Sequence, residues 1–178
     1  MQKALQSPPR TSMEVFEMLP EGTLAEVIDN RLYMSPSPKG KHQRTLRNLF
    51  RSIDQFVVQH DLGEVLFASL DVYLDEEQNA VQPDLIFVGS EKLHIIDDDD
   101  VIHGVPDLII EILSKGNQDH DEKVKKELYE RFGVKEYWIV DPANKSTTGY
   151  QLLQGVYKSL ESGNSKITSA FFNHSFTF

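Results

Sequence analysis

The sequence predicts a mixed β-sheet flanked by helices, an α/β (α+β) fold, on three observations. Residues 40–60 carry one apolar stripe at helical spacing. Residues 106–113 are a nearly all-apolar run, the mark of a strand covered on both faces, and 134–141 read as another buried strand beyond a helical segment. The remainder alternates short strand-like pieces with turns. Helix, strands, helix, strand and an antiparallel-looking tail give one sheet with helices packed on it.

The elements follow in order. Residues 1–11 are polar around Ser7-Pro8-Pro9 and read as a flexible N-terminal arm, leaving 12–178 as a single domain. Thr11-Ser12 is an N-cap signal before a short helix over 13–19, stopped by Pro20-Glu21-Gly22. Residues 23–34 place Val27, Ile28, Leu32 and Tyr33 around Asp29-Asn30, a hairpin with a primed turn. In 40–60, Leu46, Leu49, Phe50, Ile53, Phe56 and Val57 recur at three- and four-residue steps. Strand-like sequence runs over 64–74, then a turn over 75–79, then a strand over 81–88. A polar connection over 89–105 holds the acidic run Asp97 to Asp100. A helix over 119–132 ends at Gly133. The tail offers strands near 149–153, 156–160 and 167–178.

Composition narrows the function. The chain has 178 residues, 39% hydrophobic and 10% aromatic, which suits a packed core and argues against intrinsic disorder. No apolar run approaches the roughly 18 residues of a membrane span, and no apolar stretch follows the first charges as in a secretory signal. Cysteine is absent, which excludes a disulfide scaffold, a thiolate metal site and a cysteine nucleophile, and fits the cytoplasm. A net charge of −10 counts against generic nucleic-acid binding without excluding it, because the acidic run and an acidic metal site both add to the excess.

Two carboxylates stand in awkward places. Asp84 follows Pro83 and precedes Leu85-Ile86-Phe87-Val88. Glu111 interrupts Leu108-Ile109-Ile110 and Ile112-Leu113. A charge in a covered strand is costly unless it is paired or binds a metal. A turn residue at Asp84 and an ion pair at Glu111 are the plain alternatives. On the following helix, with Val124 at zero, Val124, Leu128, Phe132 and Tyr129 lie at about 0, 40, 80 and 140°. Asp121 falls near 60° and Lys125 near 100°, inside that stripe, whereas Lys123, Lys126, Glu127 and Glu130 face away. Asp121 and Lys125 are therefore either an i,i+4 pair at the core edge or a lysine held toward the acids. Two carboxylates and an inward lysine make a divalent-metal nuclease site, since Mg2+ takes hard oxygen ligands and lowers the pKa of bound water.

Pro83-Asp84, then Glu111, then a lysine resemble the PD-(D/E)XK nuclease signature, with Leu113 where the strict form has its lysine. Residues 106–142 resemble more closely the Uma family of restriction-endonuclease-like proteins. The likeness rests on Glu111-Ile112-Leu113-Ser114, on Asp121, Lys125 and Tyr129 at four-residue steps, and on the run Gly133-Val134-Lys135-Glu136-Tyr137-Trp138. Glu26-Val27-Ile28-Asp29, Ser35-Pro36 and His42 match the family's opening. The resemblance implies a restriction-endonuclease-like fold, with the lysine moved from strand to helix. It implies Asp84 and Glu111 as metal ligands for Mg2+ (or Mn2+), Lys125 as their catalytic partner and DNA as substrate. Glu26 is the candidate for an additional acid of the site.

Other residues carry weaker signals. His42 lies on the apolar side of its helix, the usual place of a core histidine. Asp71 enters the cleft in one strand register. Asp107 shares a face with Glu111 in a regular strand and is itself a Pro-Asp. Arg44, Arg47 and Arg51 form a solvated helix face, a phosphate-tracking stripe or a homodimer contact. Two functions compete: a Mg2+-dependent endonuclease hydrolysing DNA phosphodiester bonds, and a catalytically inactive nuclease-fold protein binding nucleic acid or a protein partner.

Overall fold

The computed structural model describes residues 8–99, 101–114 and 119–178. Residues 1–7 of the expected arm and Asp100 of the acidic run lie outside them. Thr11 caps α1 (Ser12–Phe16), its hydroxyl accepting from the Glu14 amide at 3.1 Å. α1 is shorter than the sequence predicts. The Met18 and Leu19 amides turn back to the carbonyls of Val15 and Phe16, tightening the end just before Pro20.

The expected hairpin is present as β1 (Ala25–Ile28) and β2 (Arg31–Met34), paired Ile28 to Arg31. Its turn residues Asp29 and Asn30 have φ of 49° and 56°, as a primed turn requires. The stripe over 40–60 becomes α2 (Gly40–His60), burying Leu46, Leu49, Ile53 and Val57. The chain continues through β3 (Gly63–Phe67), β4 (Val72–Asp75), β5 (Asn79–Val81) and β6 (Leu85–Gly89). A 3-10 turn (Ser90–Ile95), β7 (Ile102–His103) and β8 (Leu108–Ile112) follow. A π-helical turn (His120–Lys125) then runs into α3 (Lys126–Phe132). The remaining strands are β9 (Glu136–Val140), β10 (Ser146–Leu153), β11 (Val156–Ser159), β12 (Gly163–Asn164), β13 (Lys166–Ser169) and β14 (His174–Thr177).

The central sheet has the order β11-β10-β9-β8-β6-β3, with β12 also on β10. β8 and β9 are parallel, the two apolar runs joined across the helix, and the other pairs are antiparallel. One face carries Leu85, Phe87, Leu108, Ile110, Ile112, Trp138 and Val140 against α2, Ile167 and Phe176. The other carries Ile86, Val88, Ile109, Tyr137 and Ile139 against Leu128 and Tyr129 of α3. That second core continues into Val72, Leu74, Val81 and Ile102 of a smaller sheet ordered β2-β1-β5-β4-β7. Both faces of the central sheet are covered, which is why its strands read as unbroken apolar runs.

Two expected strands are each divided between the sheets. Residues 64–74 split into β3, in the central sheet, and β4, in the smaller one. Residues 81–88 break at Gln82-Pro83-Asp84: Val81 pairs with Val72 in the smaller sheet, and Leu85 with Ile110 in the central one. Pro83 has no amide to continue a ladder, and the Gln82 amide donates to the Glu26 carboxylate at 2.9 Å instead. The break leaves Asp84 where the two sheets part.

Candidate active site

Strand alternation fixes the direction of Glu111. It shares the Ile109 side of β8, facing α3, and is 3% exposed. Lys125 meets it there: its Nζ lies 2.9 Å from Glu111 Oε1 and 2.8 Å from Glu26 Oε1, with Asp121 Oδ1 at 3.8 Å. The Tyr129 hydroxyl donates to the same Glu111 Oε1 at 2.8 Å. Asp121 and Lys125 are both buried, as the helical angles predict, although the turn carrying them is π rather than α. Such wide turns are frequent at functional sites.

Asp84 approaches from the antiparallel neighbour. β6 and β8 pair Leu85 with Ile110, so extending the register by one residue sets Asp84 opposite Glu111. Asp84 Oδ2 accepts from the Ile112 amide at 2.7 Å and lies 3.1 Å from His42 Nε2. Glu26 comes from the buried hairpin strand β1, with His120 Nε2 3.7 Å from its Oε2. Glu26, His42, Asp84, Glu111, Asp121 and Lys125 together line one cavity of about 500 Å3.

The cluster is unbalanced, with four carboxylates around one buried ammonium. Burial pushes the Glu111 carboxyl well above the usual range; Lys125 opposes this, and Asp121, Asp84 and Glu26 reinforce it. Burial likewise lifts Asp121 to about 6 against the pull of Lys125. Burial would also raise Glu26, but the Lys125 charge, the nearby His120 ring and hydrogen bonds from Lys125 and Gln82 hold it down to about 2. Burial disfavours the Lys125 ammonium, yet Glu111, Glu26 and Asp121 raise its pKa well above the ordinary value, so it is charged. Burial lowers His42, and Asp84 more than restores it, leaving a net upward shift.

This donor set fits a hard divalent cation. Carboxylate oxygens are the ligands Mg2+ prefers, and such a cation would favour the ionised Glu111 and Asp121 against the burial and acidic neighbours that raise them. Among the described residues no three His, Asp or Glu side chains are gathered as a ready metal cage. Asp84 and Glu111 are the two carboxylates that could serve an ion retaining several waters.

Other candidates fall elsewhere or acquire different roles. His42 is buried but is no plain core histidine, because it holds Asp84 at the cavity wall. Asp71 accepts from Gln82 Nε2 at 2.7 Å and lines a separate hollow with Thr23 and Tyr73. Asp107 precedes β8 at its far end, where it takes the Gly89 amide at 2.9 Å and ion pairs from Lys92 and Lys135 at 3.0 and 2.8 Å. Arg44, Arg47 and Arg51 are exposed on α2. Tyr129 and His120 touch the site through Glu111 and Glu26, and the sequence gives neither a role. Tyr129 had a signal, its four-residue step from Lys125, but an aromatic in a helical stripe reads first as core. His120, whose ring lies tilted against Tyr33 at 4.7 Å between centroids, has none.

A family model described as "Uma2: Putative restriction endonuclease" matches residues 13–177. No curated protein matches the chain. Among solved structures, one described as a "putative nuclease belonging to DUF820", from Anabaena variabilis ATCC 29413, superposes with a TM-score of 0.71. It is 19% identical, over 93% of this chain and 92% of its own. That likeness shows the fold, a restriction-endonuclease-like mixed sheet flanked by helices.

Proposed function

The chain belongs to the Uma2 family, and from that premise we propose that it is a Mg2+-dependent (or Mn2+-dependent) endonuclease hydrolysing DNA phosphodiester bonds. The observation that carries this reading is Lys125, a buried ammonium between Glu111 and Glu26 in a cavity that Asp84 also lines. Burying a lysine costs free energy unless its partners are well placed. A site that must neutralise charge appearing on a phosphate needs such a preorganised cation.

Asp84 and Glu111 are the residues that would hold the metal. Bound there, it supplies charge neutralisation on the scissile phosphate and a water of lowered pKa. The Ile112 amide and His42 fix the Asp84 carboxylate, leaving Asp84 Oδ1 without a protein partner among the described hydrogen bonds. Lys125 places its charge beside the reacting phosphate and stabilises the negative charge that grows in the transition state. Glu26 orients Lys125 and keeps it protonated. Tyr129 fixes Glu111 by donating to the same Oε1 that Lys125 meets.

The test is a supercoiled plasmid incubated with the protein in Mg2+, in Mn2+ and in EDTA. Nicked and linear products confined to the metal samples are expected. An intact plasmid in all three, with a preparation that still binds DNA, favours the inactive nuclease-fold reading.

A further inference from the structure

Two cavities meet α2 at different points of its length. The carboxylate cavity includes Gln43. A second, of about 710 Å3, is lined by Arg51 and Gln55 of α2 and by Lys145 and Lys166 from the tail. Side chains four residues apart form a continuous ridge on a helix. Gln43, Arg47, Arg51 and Gln55 are one such ridge, running from the first cavity into the second. At about 1.5 Å per residue, Gln43 to Arg51 spans about 12 Å.

Several cations elsewhere on the molecule are neutralised by acids. Lys123 pairs with Asp119, Arg131 with Asp29, and Lys135 with Asp107. Arg47, Arg51, Lys145 and Lys166 are exposed, and among the described residues none of them pairs with an Asp or Glu side chain. Arg47 reaches the neutral Asn48 Oδ1 and Lys145 the main-chain oxygen of Phe178, each at 3.4 Å. The helix has Asp54 as its single acid, in a chain whose net charge is −10. An acidic protein that gathers unneutralised cations along one ridge presents a surface for a polyanion. A DNA strand carries a phosphate about every 3.4 Å of axis, so the ridge spans about three of them.

We infer that the Gln43–Arg47–Arg51 ridge carries the DNA backbone away from the cleavage cavity, and that the second cavity seats a phosphate through Arg51, Lys145 and Lys166. The inference rests on the cleavage reading above for its substrate, and its test is independent of cleavage. Binding of a fluorescein-labelled duplex is followed by anisotropy in EDTA across a salt series. The wild type is compared with the triple variant Arg47→Gln/Arg51→Gln/Lys166→Gln and with the control Lys158→Gln. All four residues are exposed, so the fold is not at stake, and matching thermal melts verify this. The triple variant is expected to bind about tenfold or more weakly at low salt. Its slope of log K against log salt should be shallower by about 2–3, near 0.9 for each phosphate left unneutralised. Lys158→Gln should match the wild type. An unchanged slope in the triple variant, or a wild type that binds no duplex, overturns the ridge. A wild type that shows the slope difference yet cuts no plasmid upholds the ridge and overturns cleavage. A wild type that cuts plasmid while the slopes coincide does the reverse.

Discussion

Lys125 Nζ lies 2.8 Å from Glu26 Oε1, joining the helix after β8 to the N-terminal hairpin in the wall of a cavity. This contact ties the smaller sheet to the chemistry of the central one. Glu26→Gln keeps the shape and removes the charge that holds Lys125 protonated and aimed. A positioning loss of this kind lowers activity about 10–100-fold. The loss should fall on kcat with little change in KM for DNA, and the alkaline limb of the pH–rate profile should move to lower pH. Equal loss of structure and activity, with an unmoved profile, would make Glu26 merely architectural.

Metal binding should release protons. Glu111 is pushed up by burial and by its acidic neighbours, and Asp121 sits at about 6. A cation must displace the protons those carboxyls hold. Mg2+ affinity, measured by calorimetry in buffers of different ionisation enthalpy, should rise with pH through about 6. Asp84→Asn should weaken it. Proton-neutral binding at all pH values would remove the metal from this cluster.

The metal-free protein should show the same electrostatics in its stability. Burial chiefly raises the Asp121 pKa, from 3.8 to about 6. A carboxyl raised on folding stabilises the native state when protonated. Its contribution is complete below 3.8 and is lost as pH rises through about 6. Glu26, held down at about 2 from 4.5, contributes above 4.5 and loses that contribution as pH falls toward 2. Urea unfolding in EDTA should therefore find Asp121→Asn gaining on the wild type as pH rises from about 4 to about 7. A pH-independent difference between them would contradict the raised Asp121.

The central sheet makes its own prediction. Gly149 on β10 pairs with Trp138 on β9, and a Cβ there would stand 2.5 Å from the indole ring. Trp138 is fully buried and cannot move aside. Gly149→Ala should cost about 1–3 kcal/mol by overpacking, lowering the melting temperature by about 2–4 °C per kcal/mol. An unchanged melt with unchanged tryptophan emission would show that the sheet has room there.

Much of this arrangement was legible in the sequence. α2 could be read end to end because a long amphipathic stripe has one period and clear stops. Asp121 and Lys125 stood out because charged residues inside an apolar stripe need a reason, and Glu111 because every neighbour is apolar. The break at Gln82-Pro83-Asp84 was hidden: an apolar run looks the same whether its two ends join one sheet or two. The pairing of Glu26 with Lys125 was hidden as well, since hydrophobic periodicity carries no information about contacts between distant segments. His42 and Tyr129 were masked by their own amphipathic character, each presenting an apolar ring where the core is expected and a polar atom where the site is.

Lys125 compared with Lys123 tests the central claim most directly. The two lysines share one helix and intrinsic chemistry, yet the Lys125 side chain is 6% exposed among three carboxylates, and that of Lys123 is 70% exposed beside Asp119. The measurement is the single-turnover rate of supercoiled-plasmid cleavage in saturating Mg2+ for Lys125→Ala and Lys123→Ala, after circular dichroism has shown both variants folded. If Lys125 stabilises the transition state, its loss should slow cleavage about 10²–10³-fold, while Lys123→Ala stays close to the wild type. Equal rates for the two folded variants, in a preparation that plainly cuts DNA, would contradict the assignment of the cluster as the catalytic centre.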